Sequence, residues 1–241
     1  MRKRLSIFFL AAGNTAYRLI LILAGMAAVQ TAAFVAVMHR IDGSFDQVFR
    51  GSGTAVICGA AFILYCFTIC FRVAGGKDHK TCYFLKRLPV SEKEIFVWWS
   101  VYNTICFLIF WGVQVVLLLI FCRIFETQAE TGVCGAQTVF ITFYENGFLL
   151  AMLPMGMILR YISNFVLIVA MGIVTAPVSM GTTKKNMLNS IVMLVSWTLF
   201  WFARKDDTGW ILLLVMSGMY IIITLVRMLG IGGVWNEEIH D

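Results

Sequence analysis

Charged residues are scarce in this chain of 241 residues: they make up 13% of it, while hydrophobic residues make up 60% and the mean hydropathy is +0.86. A water-soluble domain of this length is close to half apolar and a quarter charged. The composition therefore excludes an ordinary soluble domain and indicates a protein that lies largely within a lipid bilayer.

Catalytic and metal-binding signatures are also missing. The phosphate-binding pattern G-x-x-x-x-G-K-[ST] does not occur, and Gly75-Gly76-Lys77-Asp78 has neither its spacing nor its hydroxyl residue. There is no H-E-x-x-H, and the three histidines are scattered (His39, His79, His240). The cysteines form no C-x-x-C pair and mostly lie in apolar runs, which predicts packing residues (positions 58, 66, 70, 82, 106, 122 and 134). We expect no catalytic residue, metal or cofactor in this chain.

Long uncharged runs dominate what is present. Leu19–Met38 holds twenty residues without a charge, and at 1.5 Å per residue such a helix matches a bilayer core of about 30 Å. In none of these runs do apolar and polar residues alternate with a period of two, as they would in the strands of a membrane barrel. We predict an all-α integral membrane protein, one transmembrane domain over residues 1–241 with about six transmembrane helices. The expected spans are 19–38, 54–73 and 95–123, and the remaining spans lie within 137–229.

The N-terminus superficially resembles a secretory signal, because Met1–Arg4 is basic and a short apolar segment follows. That segment is brief, no small-x-small cleavage site closes it, and a full span comes next. We predict an interfacial helix over residues 1–18 that leads into the first span; a cleaved signal is the alternative.

Basic residues in short loops predict the orientation, because cytoplasmic loops are enriched in Lys and Arg. The N-terminus and the loop 74–94 are both basic, whereas Arg and Asp balance in His39–Ser52. We expect a multi-pass protein of the cytoplasmic membrane with its N-terminus in the cytoplasm and His39–Ser52 outside. The net charge of +6 then reflects orientation in the lipid bilayer, and we expect no nucleic-acid partner.

The second half allows six or seven spans. Seven spans would leave Lys184 and Lys185 outside, whereas a broken or re-entrant element at Tyr144–Leu159 gives six spans with both termini inside. Residues typical of an interrupted helix favour six: Glu145, Asn146, Gly147 and Pro154. Arg160 fits this arrangement poorly.

The loop 74–94 contains the most informative local pattern. Ser91 and Glu94 form a capping box that starts a helix running to about Cys122, and Pro89 separates it from the preceding segment. Thr81–Leu88 is long enough for a short surface helix with Tyr83, Phe84 and Leu88 at helical spacing. Its basic neighbours are Lys80, Lys86 and Arg87. The segment suits a docking helix; an ordinary basic loop is the alternative.

The sequence Leu88-Pro89-Val90-Ser91-x-x-x-Ile95 after this loop resembles the membrane-spanning subunits of type-2 ABC exporters. The match covers Gly76–Ile95, although Glu92 and Lys93 stand where that family often has a basic residue. The length, the span number and the interfacial N-terminal helix are similar along the whole chain. The resemblance implies a permease subunit that pairs with a second, identical or related, permease subunit and with cytoplasmic ABC ATPase subunits, which would bind the ATP and Mg²⁺. Lys80–Leu88 would be the coupling helix that docks on the ATPase.

Two functional classes remain open. The first is an exporter permease for an amphipathic or hydrophobic substrate, such as a peptide, antibiotic or lipid-like molecule; in size and layout the chain resembles the permeases of peptide-antibiotic export and immunity systems. The second is a membrane scaffold or assembly protein without transport activity. Glu145 and Arg160 are candidates for a substrate path, because charges inside membranes are costly; a position of Glu145 at the outer interface is the alternative.

Overall fold

The computed structural model describes residues 2–41, 43–70, 91–128, 136–154, 158–179 and 209–229, and all regular secondary structure in these ranges is helical. Eight helices follow one another in the described ranges. They are α1 (Arg2–Met38), α2 (Phe45–Gly51), α3 (Thr54–Cys70), α4 (Glu92–Gln128), α5 (Ala136–Glu145), α6 (Gly147–Met152), α7 (Ile158–Ser179) and α8 (Gly209–Leu229).

Among the described residues, three helices are long and apolar enough to cross a membrane: α1 over Thr15–Met38, α4 over Lys93–Thr127 and α7 over Ile158–Pro177. A fourth crossing is possible if α2 and α3, which bend by 45° at the break between them, act as one span. In α8 the apolar stretch Leu214–Val226 is shorter. The prediction of an all-α membrane protein is thus confirmed at the level of helical spans, while the number six stays a prediction.

The boundary predicted at residue 18 does not correspond to a break, because α1 is a single helix of 37 residues, about 55 Å long. Continuity is physically reasonable: the segment contains no proline, and an isolated glycine in a helix costs only about 1 kcal/mol. The predicted interfacial helix and first span are therefore parts of one element.

The segment expected as an outer loop, 39–52, contains a helix of its own. Within α2, Phe45, Val48 and Phe49 are buried, so its apolar face belongs to the core. The rings of Phe34 and Phe45 lie 6.0 Å apart and those of Phe45 and Phe125 5.4 Å apart. Aromatic packing against α1 and α4 therefore folds this segment onto the bundle.

The turn between α2 and α3 depends on Gly53, which has φ of +62°. A side chain with a Cβ atom is disfavoured in that left-handed conformation. The turn is also tied by hydrogen bonds: the Ser52 hydroxyl donates to the Phe49 carbonyl at 2.7 Å and lies 2.6 Å from the Thr54 hydroxyl.

The bundle is organised around α4, which packs most extensively against α7 and also contacts α1. Toward α3, the Tyr65 hydroxyl donates to the Cys106 carbonyl at 2.8 Å, and the Tyr65 ring lies 5.2 Å from the ring of Phe110. The helix α7 also packs against α8. Since α4 contacts four helices, α1, α3, α6 and α7, it is the central helix of the described bundle.

The apolar run 137–159 is not one continuous helix. It forms α5 and α6, of ten and six residues, each too short to cross a core of about 30 Å. The two helices meet at Asn146, and α6 ends before Pro154. In the described residues the run is interrupted at Asn146, and a broken or re-entrant span at Tyr144–Leu159 stays a prediction.

Candidate functional site

The start of α4 agrees with the sequence pattern. Ser91 precedes the first helical residue, Glu92, and its hydroxyl oxygen accepts a hydrogen bond of 3.3 Å from the backbone N–H of Glu94. This contact satisfies one of the donors that a helix leaves free at its N-terminus. The helix ends at Gln128, beyond the predicted end near Cys122. At about 55 Å it is much longer than one bilayer crossing.

The proposed docking segment lies outside the described residues. Lys80, Tyr83, Phe84, Lys86, Arg87, Leu88 and Pro89 all fall in the range 71–90. Their roles therefore stay predictions, and the described structure begins again at Ser91, where the loop enters α4.

Buried polar side chains connect α4 to α1 and α7. The hydroxyls of Tyr102 and Thr15 lie 2.7 Å apart, and the Asn103 side-chain amide donates to the Thr175 hydroxyl at 3.0 Å. All four residues are buried. Hydrogen bonds between helices in a membrane contribute about 0.6 kcal/mol each on average. The sequence reasoning missed these pairs, and their only signal is a polar residue inside an apolar run.

The C-terminal end of α6 is held from both sides. The Trp111 indole N–H of α4 donates to the Met152 carbonyl at 3.2 Å, and the Asn164 amide of α7 donates to the Ala151 carbonyl at 2.8 Å. The last carbonyls of a helix have no partner within it. Side chains of α4 and α7 supply the missing donors, so the broken element is fixed to the two helices that pack most closely together.

The other end of α6 joins α2. The Asn146 side-chain oxygen accepts from the Phe148 backbone N–H at 3.1 Å, and its amide nitrogen donates to Asp46 at 3.0 Å. Asp46 also forms an ion pair of 2.8 Å with Arg50. Asn146 therefore caps α6 and connects the break to α2 through a carboxylate.

The two charged residues predicted for a substrate path lie on different helices. Glu145 is the last residue of α5 and is exposed, while Arg160 lies in the first turn of α7 and is half-buried. The ion pairs described in the structure are Arg50–Asp46 and Arg123–Glu126. The substrate path and the alternative position of Glu145 at the outer interface both stay predictions.

Within the described ranges, no three His, Cys, Asp or Glu residues are grouped so as to hold a metal ion. The five cysteines in these ranges are buried and carry free thiols: Cys58, Cys66, Cys70, Cys106 and Cys122. Their burial agrees with the predicted packing role.

Comparison of the chain with known protein families, with curated proteins and with solved structures finds no match. Arguments about function therefore depend on the residues and their geometry.

Proposed function

We propose that this protein is the membrane-spanning permease subunit of an ATP-driven ABC exporter that moves an amphipathic or hydrophobic substrate, such as a peptide, antibiotic or lipid-like molecule. The proposal rests on the length and position of α4. Ser91 caps the start of this helix directly after the basic loop, and the helix continues unbroken for 37 residues. A permease of this kind needs a stiff connection from its ATPase to its membrane core.

A movement of the basic loop would be transmitted into the membrane domain by α4. A displacement of Ser91 is transmitted along the helix to Tyr102 and Asn103, which are bonded to α1 and α7. Further along, Trp111 is bonded to the end of α6. One helix therefore connects the loop to α1, α6 and α7.

In this proposal the ATP and Mg²⁺ are bound by cytoplasmic ATPase subunits, and a second permease subunit completes the membrane domain. The N-terminus and the loop 74–94 lie in the cytoplasm. Six spans are favoured over seven because α5 and α6 divide the run 137–159 into pieces too short to cross. Lys80–Leu88 docks on the ATPase as the coupling helix.

The coupling helix can be tested by changing its aromatic anchors. Tyr83→Ala combined with Phe84→Ala should release the ATPase or separate ATP hydrolysis from transport, because buried aromatic side chains dominate such interfaces. Loss of one anchor can cost about 2 kcal/mol, roughly thirtyfold in affinity. The matched control is Lys86→Ala, which removes a rim charge and should alter mainly the association rate and its salt dependence.

The measurements are co-purification of a cytoplasmic ABC ATPase with this chain and substrate-stimulated ATP hydrolysis in reconstituted membranes. Retention of partner and coupling by the double variant at wild-type levels would contradict the coupling-helix assignment. Absence of any ATPase in the native complex would contradict the permease proposal and favour the scaffold or assembly role.

A further inference from the structure

Two glutamine side chains lie in the interior of the bundle. Gln30 of α1 and Gln114 of α4 are both fully buried, each with a relative exposure of 0%. The Gln30 amide nitrogen donates to the Thr54 carbonyl at 3.3 Å. Within the described part of the chain, three of the four amide atoms have no hydrogen-bond partner: Gln30 Oε1, Gln114 Oε1 and Gln114 Nε2. Burying such groups without a hydrogen-bond partner is energetically costly.

The two glutamines lie on the same helix interface. Gln30 is one turn before Phe34, and Gln114 is two turns before Phe121. The rings of Phe34 and Phe121 stack with their centroids 4.7 Å apart. Both side chains therefore lie on the faces through which α1 and α4 meet.

The alignment of α1 with α4 determines how far apart Gln30 and Gln114 lie along the helix axis. Thr15 pairs with Tyr102 and Phe34 with Phe121, and in both pairs the partners are 87 residues apart. The helices are thus parallel and in register, which places Gln114 level with Ala27, three residues before Gln30. Three residues correspond to about 4.5 Å along the axis. A water molecule that makes two hydrogen bonds of about 2.8 Å can span this offset.

A neutral ligand suits the position better than an ion. All buried polar side chains in the described ranges are uncharged, among them Thr15, Ser52, Thr54, Gln30 and Gln114. An ion at this depth would have no countercharge to offset its loss of hydration. Buried water molecules typically make about three hydrogen bonds to polar groups that are otherwise unsatisfied.

We propose that Gln30 and Gln114 form an internal hydration site, where a water molecule accepts a hydrogen bond from Gln114 Nε2 and donates one to Gln30 Oε1. This water bridges α1 and α4 between the Tyr102–Thr15 contact and the Phe34–Phe121 stack. The inference does not depend on the exporter proposal, because it follows from the burial and register of the two helices alone.

The test is X-ray radiolytic footprinting of the full-length protein in lipid nanodiscs, with water as the probe. Radiolysis converts a bound water to a hydroxyl radical, which oxidises the nearest susceptible side chain, and methionine oxidises readily. Met26 precedes Ala27, the residue of α1 that is level with Gln114. Met171 lies on α7 beside an apolar cavity. Both are 4% exposed, so Met171 is the matched control.

Met26 should oxidise several-fold faster than Met171 in the wild-type protein. Gln114→Leu, which removes the donor, should lower the rate at Met26 to that of Met171. Equal rates at the two methionines in the wild type would overturn the proposal, and this comparison holds even if the variant does not fold. A Met26 rate unchanged by Gln114→Leu in a folded variant would overturn it as well.

Discussion

The helices α4 and α7 come close together at Gly172, and a side chain added there should measurably destabilise the protein. A Cβ atom added to Gly172 would lie 2.7 Å from the backbone nitrogen of Thr104 and 2.8 Å from its Cα atom. Such distances are shorter than van der Waals contact. The Thr104 side-chain Oγ1 is in the way as well, but because part of the obstruction is main chain, a change of rotamer cannot relieve it and the two helices must separate.

We expect Gly172→Ala to cost about 1–3 kcal/mol, the usual penalty for overpacking a core. Each kcal/mol lowers Tm by about 2–4 °C in a protein of this size, so the expected decrease is about 2–12 °C. Unfolding can be followed with a thiol-reactive fluorophore, because the five cysteines of the described ranges are buried.

The matched control is Gly112→Ala in α4, where a Cβ atom would meet nothing within 4 Å. This substitution should leave Tm unchanged or raise it, because alanine favours a helix by up to about 1 kcal/mol over glycine. Thr104→Ala should not rescue Gly172→Ala, since the conflict involves backbone atoms. A Gly172→Ala variant that melts with the wild type, or full rescue by Thr104→Ala, would refute the close backbone contact.

Three further predictions concern the ends of helices and the orientation. Ser91→Ala should lower stability by about 1 kcal/mol through loss of the α4 cap, while Ser91→Thr retains the hydroxyl and should melt near the wild type. Asn146→Asp keeps the cap of α6 but places a second carboxylate next to Asp46, so its Tm should fall at neutral pH and recover when acid protonates one carboxyl group; an equal deficit at both pH values would contradict this. In sealed cells, a membrane-impermeant thiol reagent should label cysteines introduced in His39–Ser52 and miss those introduced in Gly75–Glu92, and the reverse pattern would overturn the orientation.

Composition and local pattern determined the class of this protein and the start of its central helix. Sixty per cent hydrophobic residues with runs of bilayer length leave helices as the natural means of satisfying the backbone in lipid. Ser91 and Glu94 specify a helix start through contacts within four residues. Asn146, Gly147 and Pro154 likewise mark an interruption by their own backbone preferences. These features are local, so no tertiary structure was needed to predict them.

Tertiary structure decided which side chains meet. The hydrogen bond between Asn146 and Asp46 joins residues 100 positions apart, and the contact of Asn103 with Thr175 joins residues 72 apart. No periodicity within one run predicts such pairs, because they depend on the register between helices. Gly172 depends on register in the same way, because the backbone of Thr104 in α4 leaves no room for a side chain there. Gln30 and Gln114 likewise lie on one interface because α1 and α4 run parallel and in register. The apolar face of α2 is likewise buried by Phe34 of α1 and Phe125 of α4. The segment 39–52, which the sequence predicted as a loop, therefore contains a helix that packs into the core.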